Sequence, residues 1–116
     1  NLTVISGPGF DLVGEAKLTA APLMPVAFPG DVPMAATDVT APSDDFNVMT
    51  ARALPLPDVR VLHSGSIAPP TPGLLAVFAL EPATASGCPL GRHDLIITDE
   101  KAHLDGGPFI VVRLGL

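Results

Sequence analysis

A mainly β fold is what this sequence predicts: a small antiparallel sandwich or barrel of about seven short strands, with a long extended Pro-rich arm. Three observations predict it. Fourteen prolines spread over 116 residues leave few intervals long enough for three helical turns, and proline is disruptive inside a helix. Short stretches either alternate apolar and polar residues or run apolar without a break, as strands do. Pro/Gly clusters punctuate those stretches. The apolar fraction of 47% supplies material for one modest core, so residues 1–116 are expected to form a single domain. In that scheme 46–116 is the main β region, 1–19 pairs onto it, and 20–45 is the arm.

Residues 2–6 (Leu-Thr-Val-Ile-Ser) read as a first strand, and Gly7-Pro8-Gly9 as the turn after it. From Phe10 to Thr19 the pattern alternates. Phe10, Leu12, Gly14, Ala16 and Leu18 share one face, and Asp11, Val13, Glu15, Lys17 and Thr19 the other. Residues 46–54 alternate less cleanly, with Phe46, Val48, Thr50 and Arg52 on one face. Val59 to His63 is the next strand, closed by Ser64-Gly65-Ser66. Leu74 to Leu80 is continuously apolar, which predicts a strand buried on both faces or one whose outer face meets a partner. Asp94 to Thr98 and Phe109 to Leu114 complete the set, with Asp105-Gly106-Gly107-Pro108 as the last turn.

Residues 20–45 stand apart. They hold Pro22, Pro25, Pro29, Pro33 and Pro42 and show no sustained period. They are also too apolar for a solvated linker. Proline favours extended conformations there, so the segment is expected to lie across a surface, either of its own domain or of a neighbouring subunit. Leu23, Met24, Val26, Phe28 and Val32 of the arm, with Leu75 and Phe78 of the apolar strand, are the candidate partner-binding residues. Burying each such side chain is worth on the order of 1.5–3 kcal/mol.

Composition excludes several classes. Twelve acidic against six basic side chains give a net charge of −6, and the cations are scattered. No basic stripe exists to meet a phosphate backbone or an anionic membrane. The chain has no Trp and no Tyr, so it lacks the stacking platforms that read bases. Protein subunits are the expected partners, as a homo-oligomer or a shell, with neither nucleic acid nor membrane. A single cysteine, Cys88, rules out an internal disulfide and reads as a small hydrophobe. No apolar run approaches the ~20 residues of a membrane span. No secretory leader is recognised. Asn1 in place of Met points to a removed initiator or leader, or to a fragment.

The densest polar cluster is His93, Asp94, Asp99, Glu100, His103 and Asp105. These residue types ligate zinc or hard divalent ions, and a metal-dependent enzyme built on His93, Asp99, His103 and Asp105 is one alternative. The spacing follows no known metal motif, so solvated loop charges are the competing reading. Asp44-Asp45 fits a turn better than a calcium pair. His63 beside Ser64-Gly65-Ser66 is not read as a catalytic pair, because neighbours on a strand point to opposite faces. Ser6-Gly7-Pro8-Gly9 lacks the lysine and helix of a phosphate cradle. The expectation is a protein that is not an enzyme and carries no cofactor.

Ala20-Ala21-Pro22-Leu23-Met24 and Ala41-Pro42 form a Pro/Ala-rich portion, and Gly73-Leu74-Leu75-Ala76-Val77 a central apolar strand. In this organisation the chain resembles the tailed-phage head decoration (cement) proteins. The resemblance implies a structural assembly protein of the virion that stabilises a capsid or similar shell through subunit contacts. A second alternative is a cell-surface filament subunit that donates a strand, residues 1–6 or 109–116, to its neighbour.

Overall fold

The computed structural model describes all 116 residues and contains thirteen strands and no helix. Every pair of named strands is antiparallel. The mainly β, antiparallel expectation holds; the long extended Pro-rich arm is not seen. The chain divides into two compact units, Asn1–Met49 and Thr50–Leu116.

The first unit carries β1 (Leu2–Ser6), β2 (Phe10–Val13), β3 (Lys17–Ala20), β4 (Ala35–Thr37) and β5 (Asp44–Asn47). β1 pairs with β5, and β3-β2-β4 form a separate sheet. The alternating stretch from Phe10 to Thr19 is a hairpin rather than one strand, because Gly14 N–H turns back to Ala16 C=O at 3.1 Å. Asp11 faces Thr19 across it. The Thr19 hydroxyl, at 3.0 Å, is the first cause holding the Asp11 carboxyl below its usual range, and Lys17, at 3.3 Å, adds to it.

The 20–45 segment is folded into this unit. Leu2 and Val26 exchange backbone hydrogen bonds of 2.9 Å, Leu23 N–H donates to Val4 C=O at 2.9 Å, and β4 adds to β2. Val26 and Phe28 pack on the buried Leu2, Val4 and Ala20. The prolines stop regular pairing without preventing burial, since side chains pack whether or not the backbone joins a ladder. Residues 1–19 thus pair within 1–49. Asp44 and Asp45 sit on β5, where Asp44 accepts from the Ser6 hydroxyl at 2.9 Å and Asp45 from the Ser43 hydroxyl at 3.2 Å.

The second unit is a sandwich of two sheets. Its strands are β6 (Asp58–Leu62), β7 (Gly65–Ile67), β8 (Gly73–Ala79), β9 (Ala83–Ala85), β10 (Cys88–Leu90), β11 (Leu95–Thr98), β12 (Ala102–Asp105) and β13 (Phe109–Gly115). One sheet has the order β11-β8-β13-β6 and the other β10-β9-β12-β7. Leu75, Val77, Ala79, Phe109 and Val111 of the first meet Ile67, Ala85, Leu90, Ala102 and Leu104 of the second. These are inward positions with period two. β8 lies inside its sheet, between β11 and β13, with Leu75, Val77 and Ala79 in the core and Leu74 and Phe78 half-buried on the other face. Five strands escaped the sequence reading: β4, β7, β9, β10 and β12. Four of them have only three residues, too few to display a period.

Candidate ligand-binding site

β12 alternates cleanly. Ala102 and Leu104 point into the sandwich, so His103 and Asp105 point outward. The register sets their neighbours: His103 lies opposite Ser66 on β7, and Asp105 opposite Thr84 on β9. His103 Nδ1 and the Ser66 hydroxyl are hydrogen-bonded to each other. The backbone of His103 is fixed from the other side. Its N–H donates to Ser86 Oγ at 3.1 Å, and its C=O accepts from Ser86 N–H at 2.7 Å. The imidazole is therefore tied to β7, and the backbone that carries it to Ser86 just after β9.

Two glycines keep the ground beside this row open. Gly65, at φ +116°, and Gly87, at φ +76°, have no atom within 4 Å of where a Cβ would stand. Together with Thr84, His103, Leu104 and Asp105 they line an open depression of about 380 Å³. The Thr84 hydroxyl, the His103 imidazole and the Asp105 carboxylate thus face one concavity with few side-chain atoms to displace, and Ser66 stands beside it as the partner of His103. They can donate to an anion on the Ser66–His103 side and accept from a cation at Asp105. The arrangement lacks the carboxylate–imidazole bond that orients the base of a serine hydrolase. A second cavity, of about 210 Å³, opens between the sheets over Val77, Ala85, Ile96 and Ala102.

The polar cluster expected from the sequence separates. His93 has φ +67° and stacks on Phe78 with ring centroids 5.4 Å apart. Asp94 Oδ2 accepts from Gly91 N–H at 2.7 Å, closing a turn. Asp99 and Glu100 lie in the exposed connection after β11, and only His103 and Asp105 share a strand face. No three His, Cys, Asp or Glu side chains are grouped to hold a metal ion. The four proposed metal ligands thus do not converge, because a turn and a strand intervene. The serine–histidine pair that does form joins β7 to β12. It was missed because it links residues 37 positions apart.

The candidate partner-binding residues are also dispersed. Leu75 is fully buried in the sandwich core. Val26 and Phe28 pack within the first unit, while Leu23 and Val32 are half-buried. Met24 is exposed, and Phe78 holds His93.

Residues 1–107 match the family model described as HutD. No curated protein is similar enough to the chain to match it. The structure of HutD from Pseudomonas fluorescens SBW25, in a formate condition, superposes with a TM-score of 0.78 at 23% identity. That match covers 97% of this chain and 66% of the other, so the chain spans less than two thirds of that protein's length. At this identity the likeness concerns the fold. The family match overturns the decoration-protein reading, and with it the capsid role, the virion location and the filament alternative. Small size, acidity and proline content are shared by unrelated β proteins, and the supposed docking arm is folded within residues 1–49.

Proposed function

The chain belongs to the HutD family, and from that membership we propose that it is a regulatory domain of histidine utilisation that binds a small amphoteric ligand and performs no reaction on it. The observation that carries this reading is the outward row formed by Ser66–His103 and Thr84–Asp105 beside two open glycines. A free amino acid matches it in charge. Its carboxylate meets the Ser66 and His103 donors, and its ammonium meets Asp105. Histidine itself is the ligand that the family's pathway makes natural.

Calorimetric titration of the whole chain with L-histidine tests this. Saturable binding is expected, with a loss of about tenfold, or ~1.4 kcal/mol, in His103→Ala. No saturable binding at millimolar ligand, or equal affinity in the variant, would overturn it.

A further inference from the structure

We propose that the free edge of β11 pairs antiparallel with β11 of a second copy of this chain, about a two-fold axis at Ile96. The sandwich has four edge strands, β6, β7, β10 and β11. Exposed edges invite pairing, and proteins usually blunt them with charge, proline or brevity. β6 carries the Asp58–Arg60 ion pair. β7 has only three residues, and β10 contains Pro89. β11 reads Leu-Ile-Ile-Thr and carries no such device. Its outward side chains are the most exposed aliphatics on that sheet, Leu95 at 51% and Ile97 at 59%.

The backbone pattern selects the register. Ala79 N–H donates to Asp94 C=O at 3.0 Å, so Asp94 is hydrogen-bonded towards β8. Ladder bonds alternate along an antiparallel strand. Ile96 and Thr98 therefore also bond inward, and Leu95 and Ile97 turn their N–H and C=O to the free edge. A two-fold axis at Ile96 sets Leu95 against Ile97 of the second copy, which satisfies all of those groups. It also brings the two exposed aliphatic side chains together on one face.

Charge supports the same occupant. The axis brings Arg92, before the strand, towards Asp99 and Glu100, which follow it in the second copy. A chain of net charge −6 gains from any self-contact that matches its few cations to its acids. The pairing joins two sheets into one and buries little else, so association in the micromolar range is expected.

Sedimentation velocity across a concentration series of the whole chain tests the proposal. Wild type should move from monomer to dimer, and Ile97→Lys should weaken dimerisation at least tenfold with an unchanged circular dichroism spectrum. Arg92→Glu should weaken it as well, and Arg92→Glu combined with Glu100→Arg should restore it. A wild-type monomer at every concentration would overturn the proposal. So would a dimer indifferent to Ile97→Lys, which would put the contact on another surface. Failure of the charge exchange to rescue would overturn the two-fold register.

Discussion

Asp58 stands directly opposite Arg113 across the β6–β13 ladder, and its Oδ2 receives Arg60 Nη2 at 2.8 Å and Arg113 Nη1 at 3.5 Å. Arg113 is also anchored through Nε to Ala68 C=O at 2.8 Å. Hydrogen bonding from Arg60 is the largest cause holding the Asp58 carboxyl below the usual carboxylate range; desolvation opposes it, and the charge of Arg60 and the bond and charge of Arg113 add to the lowering. A depressed carboxylate stabilises the fold above its unfolded pKa, and that contribution fades as pH falls through the folded one. The carboxylate side chain is 36% exposed, so solvent screening keeps the effect small. Asp58→Asn should therefore cost about 0.5 kcal/mol at pH 7. Urea unfolding at neutral and acid pH checks this, since the gap between variant and wild type should close below the carboxylate range.

Phe109 is the largest fully buried side chain. It faces Leu62 on one side and Ala79 on the other. Truncation there removes a large apolar area and leaves a cavity in the core between the two sheets. Phe109→Ala should cost about 3–5 kcal/mol. That is a large part of the ~5–15 kcal/mol a domain commonly has, so the urea midpoint should fall steeply.

What was legible in the sequence was the part that local period encodes. β8 and β13 are seven residues each, and their apolar runs exceed what a turn or loop tolerates. The paired glycines before Pro108 marked the turn into β13, where a Cβ on Gly107 would stand 2.7 Å from His63 C=O. The site was not legible, for a physical reason. Ser66, Thr84, His103 and Asp105 lie on three different strands, and only register brings them into one row. Spacing along the chain misdirected attention to His93 and Asp99, which are near His103 in sequence and apart from it in space. The segment from Pro22 to Pro42 misled in the opposite way. Its prolines signalled an extended arm, yet the segment contributes β4, and Val26 and Phe28 are held by the small core around Val4.

Thr3 presents a different kind of test. It is fully buried, on the face of β1 opposite Leu2 and Val4, and its hydroxyl Oγ1 has no hydrogen-bond partner. An unpaired buried hydroxyl costs about 1–3 kcal/mol, and valine replaces it with a methyl of similar size. Thr3→Val should therefore raise stability by about 1 kcal/mol. Thermal unfolding reads this directly, and a destabilised variant would show that the hydroxyl is satisfied in solution.

Asp105 discriminates between modes of ligand recognition. If its carboxylate meets the ammonium of a bound amino acid, the deaminated analogue imidazolepropionate should bind wild type more weakly than L-histidine does. A charge-assisted hydrogen bond is worth about 1.5–3 kcal/mol, so the difference should be tenfold or more. Asp105→Asn should weaken histidine binding and leave imidazolepropionate nearly unchanged, erasing the preference. Ser66→Ala should weaken both ligands together, because the hydroxyl and the imidazole it holds serve the carboxylate that both share. Parallel titrations of the two variants with the two ligands read out both halves of the site. If Asp105→Asn weakened both ligands equally, Asp105 would not be the ammonium acceptor.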